Sequence, residues 1–249
     1  MQHGPQKGSL TLAKLSPRLL RVWSLFLWSV VVLSLIRIEY VLWNLPQLKS
    51  QPVSHLFKAM LVGVRFDLAA AAWLILPLVL LTLIPWPLRW NRIWSGAVLT
   101  LFLLIQIPFW IVNLIDVEFV NFVGRRMTSD VLFILGEAQG KAGGFVSAYG
   151  LLLLFGVLMT AIGAVGGAVI FQWSKDFRWG RDWGWKRRAL LGLFSVIALV
   201  VMTRGGFQKK PLHFVNAQIF QYPGLNLVVL NSTFTVLKSI GQKQVPKLT

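Results

Sequence analysis

The sequence contains no cysteine and few carboxylates, and both absences narrow the functions it can have. Without cysteine the chain forms neither a disulfide nor a thiolate metal site. Only 8 of the 249 residues are Asp or Glu, and none of them follows Asp182. A divalent cation needs several carboxylate or imidazole ligands, and the three histidines, His3, His55 and His213, are widely scattered. We therefore expect no metal or cofactor and no complete acid–base machinery on this chain.

Apolar residues and positive charge are what the sequence has in abundance. Hydrophobic residues make up 56% of the chain, the mean hydropathy is +0.67 and the formal net charge is +17. A soluble domain is much less apolar, so the composition predicts an integral membrane protein. The basic residues lie mostly between apolar runs, where the positive-inside rule and anionic lipid headgroups explain them. Nucleic acid is therefore not an expected partner.

Five apolar runs predict an all-α membrane protein with five transmembrane helices. We expect a basic cytoplasmic arm at residues 1–18, the five-helix domain at 19–203 and a juxtamembrane linker at 204–249. The fifth run is short for a hydrocarbon core of about 30 Å, so its helix must begin among the flanking basic residues. The spans are predicted at about residues 19–43, 59–84, 93–115, 145–171 and 187–203.

The distribution of Lys and Arg favours one orientation of these helices. With the amino terminus in the cytoplasm, most basic residues that flank the spans fall on the cytoplasmic side, as the positive-inside rule requires. The sequence therefore predicts an N-in, C-out membrane protein whose C-terminal linker lies outside the cytoplasm. Within that linker, residues 224–240 are amphipathic and are expected to lie on the bilayer surface.

The predicted fourth span carries small residues at every fourth position. Gly156, Thr160, Ala164 and Ala168 fall on one face of a helix with Gly163 and Gly167 beside them, and another helix can approach this face closely. Packing within one chain is the favoured interpretation, and a homodimer contact is the alternative.

Arg65 and Asp67 are charges at the outer edge of the second span. Two residues apart on a helix, they point to different faces, so each needs a partner from another element. We weigh two interpretations equally, an ion-pair network and a site for a lipid headgroup. The expected partners lie in the stretch after the third span, namely Asp116, Glu118, Arg125 and Arg126.

That stretch, residues 116–130, reads D-V-E-F-V-N-F-V-G-R-R-M-T-S-D. Apolar residues four apart predict an amphipathic interfacial helix between spans three and four, with a kink at Gly124. Arg126 can reach Asp130 at a spacing of four. Arg125 and Arg126 are candidates for a phosphate, with neutralisation by the nearby acids as the alternative.

Taken together, these segments resemble the membrane domain of the lipoteichoic-acid-synthase-like sulfatases. Arg65-Phe66-Asp67, residues 116–130, and the tail segments P-L-H-F-V-N-A-Q-I-F and L-N-S-T-F-T-V-L-K-S are similar to that family. Its members are membrane phosphoglycerol or phosphoethanolamine transferases and hydrolases of the alkaline phosphatase superfamily, so the resemblance implies a multi-pass protein of the bacterial inner membrane with an extracytoplasmic C-terminus. The residues that match as membrane-domain positions are Arg65, Asp67, Asp116, Glu118, Arg125, Arg126 and Asp130.

The resemblance implies that catalysis belongs to a domain beyond this sequence, with a threonine-type nucleophile beside a divalent metal. Neither can be matched here, so we expect a catalytically incomplete membrane anchor and assign no catalytic residue. Its expected partners are anionic phospholipids and a separate sulfatase-type catalytic domain. The alternatives are a small transporter or flippase and a purely structural membrane subunit.

Overall fold

A computed structural model describes residues 17–83, 91–129, 142–174 and 185–240 of the chain. Within these ranges the regular structure is entirely helical. In an apolar layer no water is available to bind the N–H and C=O groups of the backbone. An α-helix pairs these groups by hydrogen bonds within a single segment. The helices are α1 (Pro17–Trp43), α2 (Leu45–Leu48), α3 (Val53–Leu83), α4 (Asn91–Val123), α5 (Ala142–Trp173), α6 (Trp185–Arg204), a 3₁₀ turn (Phe214–Ala217), α7 (Pro223–Val229) and α8 (Ser232–Ile240).

Among the described residues, four helices are long and apolar enough to cross a membrane. They are α1, α3, α4 and α5, with apolar stretches at Arg18–Trp43, Val53–Leu83, Arg92–Val123 and Gly150–Trp173. The predicted all-α membrane class is therefore confirmed. The apolar part of α6, Ala189–Arg204, is shorter than these four. The fifth span and the N-in orientation stay predictions.

Helix α4 is longer than the third span predicted from the sequence. It continues without a break to Val123 and ends at Gly124, whose φ of 71° is left-handed and whose N–H bonds the carbonyl of Val120 at 2.8 Å. A left-handed glycine is a common helix terminator. The prediction of a separate interfacial helix is therefore wrong for residues 116–129, because the first part belongs to α4 and the rest is not helical. Asp130 and the residues up to 141 lie outside the described part.

Helix α3 lies at the centre of the bundle and packs against α1, α6 and α7. Four consecutive alanines, at positions 69–72, are fully buried along it. Small side chains let neighbouring helices approach closely, which matters because lipid provides no hydrophobic force between helices. Phe66, also buried, packs edge-on against Phe234 of α8 with ring centroids 5.0 Å apart.

The small residues of α5 receive large aromatic side chains of the same chain. A Cβ on Gly163 would lie 2.6 Å from Trp110 of α4, and one on Gly167 would lie 2.8 Å from Phe102. Trp28 of α1 also donates from Nε1 to the Gly163 carbonyl at 2.8 Å. The expectation of close packing within one chain is confirmed at these positions.

After α6 the chain folds back over one end of the bundle. The run 224–240, expected to lie on the bilayer surface, forms α7 and α8, which pack against α3 and α4. Leu225, Val228 and Val229 of α7 and Phe234 of α8 join the same buried core as the long helices. The apolar face of this segment therefore covers the bundle end.

Candidate functional site

A buried ion pair joins α1 to α3 at this end of the bundle. Arg37 Nη2 lies 2.5 Å from Asp67 Oδ1, and Arg37 Nε donates to Oδ2 at 3.2 Å. Only 3% of the Arg37 side chain and none of the Asp67 side chain is exposed. Asp67 also accepts from the Asn231 amide at 2.6 Å and from the Ser34 hydroxyl at 3.4 Å. The carboxylate is thus held by four hydrogen bonds from three residues, two of them in α1 and the third at the start of α8.

A second buried ion pair lies at the end of α4. The turn after Gly124 brings Arg126 back onto its own helix, where Nη1 donates to Asp116 Oδ2 at 2.7 Å. The other oxygen of Asp116 accepts from the Met127 N–H at 2.6 Å. The Arg126 guanidinium also lies 3.8 Å from the centroid of the Tyr40 ring, a cation–π contact with α1.

Both guanidiniums bind the C-terminal end of α7, at the carbonyls of residues 227–230. Arg126 Nε donates to the first carbonyl at 2.9 Å. Arg37 Nη1 donates to the next three, at 2.8 Å for Val229 and 3.2 Å for Leu230. Carbonyls at a helix C-terminus lack partners within the helix and carry partial negative charge. Two cations, each balanced by its own carboxylate, therefore cap this helix end.

The start of α8 is held by two asparagines. Asn231 Oδ1 accepts from the Phe234 N–H at 2.7 Å, so Asn231 caps α8 while its amide group binds Asp67. Asn113 of α4 accepts from the Ser232 N–H at 2.9 Å and donates to the Thr233 hydroxyl at 2.6 Å. The bundle thus provides partners for the Asn231 amide and the Thr233 hydroxyl, whereas the buried Ser232 hydroxyl has no hydrogen-bond partner among the described residues.

The space between the two ion pairs is a cavity of about 10 Å³, which is the size of a single water molecule. A lipid headgroup does not fit there. The charges are already paired, so this cluster is built to hold the C-terminal segment. Polar side chains and four apolar or aromatic ones line the cavity: Leu33, Ile36, Arg37, Tyr40, Asn113, Arg126, Leu230 and Asn231.

Arg65 and Asp67 point in opposite directions, as their spacing predicts. Asp67 is fully buried, whereas Arg65 is exposed and donates from Nε to the Gly205 carbonyl at 2.8 Å. A second donor of Arg65, Nη2, contacts the side-chain oxygen of Gln208. The two residues therefore belong to different surfaces of α3.

Glu118 and Arg125 lie outside the buried cluster. Glu118 Oε2 accepts from the Trp43 ring nitrogen at 2.7 Å and from the Asn121 amide at 3.0 Å. Arg125 is exposed, and its Nη1 donates to the Thr128 hydroxyl at 3.0 Å. Asp130 lies outside the described residues.

One expected pairing is corrected by this geometry. Asp67 was expected to find its partner within residues 116–126, but it binds Arg37 of α1. The expected contact of Arg126 with Asp130 falls on a residue outside the described part, and Arg126 binds Asp116. The partner of Asp67 is brought close by the tertiary fold. The ion-pair interpretation therefore describes Asp67, Asp116 and Arg126.

Arg37, Asn113 and Asn231 belong to the cluster but were not among the residues predicted for the site. A signal for Arg37 existed, since a charge within an apolar run needs a partner. Asn113 and Asn231 carry no such signal, because a single asparagine in an apolar segment does not reveal what it will bind. In the residues that the structure describes, no cluster of three or more His, Asp or Glu side chains could hold a metal ion.

No protein-family model, curated protein or solved structure matches this chain. The resemblance to the sulfatase membrane domain therefore stays a prediction from the sequence.

Proposed function

We propose that the protein is the catalytically incomplete membrane domain of a sulfatase-type phosphoglycerol or phosphoethanolamine transferase of the bacterial inner membrane. In this proposal it holds residues 205–240 at a fixed place on the extracytoplasmic surface. A catalytic domain, separate or downstream, docks there and acts on anionic phospholipid headgroups.

The double capping of residues 227–230 by Arg37 and Arg126 carries this proposal. A buried ion pair is a weak net stabiliser, because desolvation offsets the attraction, but breaking one is strongly destabilising. Two such pairs on consecutive carbonyls therefore specify one arrangement of the segment. A catalytic domain that acts on lipid headgroups has to be held at a fixed height above the bilayer. A rigidly held docking segment would fix that height. A chain that only has to remain in the membrane has no such requirement.

The test is a headgroup-transfer assay with the full chain in vesicles that contain headgroup-labelled phosphatidylglycerol. A soluble sulfatase-type phosphoglycerol transferase domain is added to vesicles with and without the chain. We expect no transfer by the chain alone and faster transfer by the added domain when the chain is present, because docking raises its local concentration. Equal rates on both kinds of vesicle would overturn the proposal and favour a purely structural subunit.

A matched pair of variants separates docking from simple membrane residence. Arg37→Gln removes the charge that binds Asp67 and the α7 carbonyls, so we expect it to abolish the increase in rate. Lys49→Gln removes an exposed charge at the same end of the bundle and should leave the increase intact. Both proteins are first shown to remain in the vesicle membrane.

A transporter or flippase would need polar side chains along a path through the bundle at mid-depth. In the described helices, polar side chains buried within the bundle make separate contacts. Gln106 donates to Ser29 at 2.8 Å, and Trp23 donates to Ser195 at 3.2 Å, while the side-chain oxygen of Gln106 has no hydrogen-bond partner among the described residues. These isolated contacts do not form a continuous polar path and do not favour transport.

A further inference from the structure

A second charged surface lies at the end of α6, separate from the buried cluster. Arg204 is the last residue of α6, and the chain then turns through residues 205–210. It returns to Leu212, whose N–H bonds the Arg204 carbonyl at 2.9 Å. We call residues 204–210 the basic turn. Its Arg204, Lys209 and Lys210 side chains are all exposed.

Two glycines give the basic turn a defined shape. Gly205 and Gly206 have φ values of 81° and 115°, which other residues rarely adopt. The Gly205 N–H bonds the Met202 carbonyl at 2.8 Å and the Gly206 N–H bonds the Val201 carbonyl at 2.9 Å. These two bonds close the end of α6 in the manner of a Schellman motif.

Two arginine side chains bind backbone carbonyls of the basic turn. Arg65 of α3 donates to the Gly205 carbonyl at 2.8 Å, and Arg204 donates to the Lys209 carbonyl at 2.8 Å. The backbone of the basic turn is therefore bound both to α3 and to its own Arg204, and it places Arg204, Lys209 and Lys210 within seven residues of the chain.

Phe207 occupies the tip of the basic turn with 94% of its side chain exposed. An exposed ring next to several cations is typical of segments that enter a membrane interface, where the ring meets acyl chains and the cations meet phosphates. Among the residues that the structure describes, none of Arg65, Arg204, Lys209 and Lys210 forms an ion pair with a carboxylate. The positive charge of the basic turn is thus not neutralised there.

We propose that Arg65, Arg204, Lys209 and Lys210 bind the phosphate of an anionic phospholipid, with Phe207 inserted among the acyl chains beside α6. Charge complementarity and the position of the turn directly after an apolar helix favour lipid over a soluble anion. A free phosphate also offers nothing to cover the exposed ring. The proposal rests on the membrane location in the proposed function, but it requires neither the capping of α7 by Arg37 and Arg126 nor a catalytic partner. Of the residues predicted for a headgroup site, it keeps Arg65 and leaves out Arg125 and Arg126.

The first experiment measures retained phosphatidylglycerol and phosphatidylcholine on the detergent-solubilised full chain by native mass spectrometry. The double variant Lys209→Gln/Lys210→Gln should lower phosphatidylglycerol affinity roughly fivefold for each lysine removed. The control Lys49→Gln/Lys238→Gln removes the same charge elsewhere at this end and should bind as the wild type does. Unchanged affinity in the first variant, or equal losses in both, would overturn the proposal.

The second experiment follows Phe207 itself and distinguishes a lipid from free phosphate. Because the chain has no cysteine, Phe207→Cys gives one labelling site for a fluorophore. In phosphatidylglycerol vesicles we expect quenching by lipids brominated on their acyl chains. No quenching, together with displacement of the lipid by excess inorganic phosphate, would indicate a phosphate site and overturn the proposal. Neither readout depends on headgroup transfer, so failure here is distinct from failure of the proposed function.

Discussion

Arg37 binds both carboxylate oxygens of Asp67, through Nη2 at 2.5 Å and Nε at 3.2 Å, while its remaining nitrogen binds the carbonyls after Leu227. One side chain of α1 thereby joins α3 to the C-terminal segment. The planar guanidinium binds the carboxylate along one edge and the carbonyls along another, which the single ammonium group of a lysine could not do. The ion pair is therefore the point at which the bundle and the segment become one unit.

Replacing Asp67 with alanine should strongly destabilise the protein. The substitution leaves the Arg37 charge buried without a carboxylate, a change that typically costs about 3–5 kcal/mol. The measurement is the free energy of unfolding in detergent. Glu118→Ala is the control, because this half-buried carboxylate binds neutral groups and its removal should cost about 1 kcal/mol or less. Equal losses would show that Asp67 has no special role.

Loss of Arg126 should loosen the C-terminal segment locally. Ser232 is fully buried, so a single cysteine in its place should resist a maleimide reagent in the otherwise native chain. Adding Arg126→Ala removes the cap on the Leu227 carbonyl and unpairs Asp116, and labelling should become several-fold faster. The rate of labelling is the measurement.

A cysteine at the exposed position Ile240 is the control for that experiment, and it should react quickly with or without Arg126. If the cysteine at position 232 stays protected when Arg126 is absent, Arg37 alone is sufficient to hold the segment.

Gly163→Ala should destabilise the packing of α5, because the new Cβ would lie 2.6 Å from Trp110. Overpacking of this kind costs about 1–3 kcal/mol. Gly150→Ala on the same helix meets nothing within 4 Å and should be neutral or slightly stabilising. Thermal unfolding at several protein concentrations is the measurement. A loss that depends on concentration would instead indicate a contact between two copies of the chain.

The two glycines of the basic turn should differ in their tolerance of alanine. Both have left-handed φ values, which cost an alanine about 1–2 kcal/mol. At Gly205 the Cβ would also lie 2.6 Å from Leu212, whereas Gly206 has nothing within 4 Å. We therefore expect Gly205→Ala to lower both stability and phosphatidylglycerol retention more than Gly206→Ala does. Identical effects would mean that the contact with Leu212 is unimportant.

The long helices could be predicted from the sequence because apolar runs determine them locally. The first span was expected at residues 19–43 and is observed as Pro17–Trp43. The third span was predicted too short, since the charges of Asp116 and Glu118 suggested an end to the membrane helix. Asp116 binds Arg126 and Glu118 binds Trp43, so the helix continues past both carboxylates and ends only at Gly124.

The cluster itself could be predicted only in part. Residues three or four apart share a helix face, and residues two apart do not. The separation of Arg65 from Asp67 could therefore be predicted. The pairing of Asp67 with Arg37 and Asn231 spans 30 and 164 residues of sequence. Such pairs depend on how helices pack, and helix packing in a membrane leaves little trace in hydrophobic periodicity.

The capped end of α7 also has a consequence for the membrane potential. A potential exerts force on net charge, at about 2.3 kcal/mol per elementary charge moved through 100 mV. Arg37 and Arg126 are matched by Asp67 and Asp116, so the cluster as a whole carries no net charge. Energising or de-energising the membrane should therefore exert little net force on the buried cluster, in contrast to the arginines of a voltage sensor.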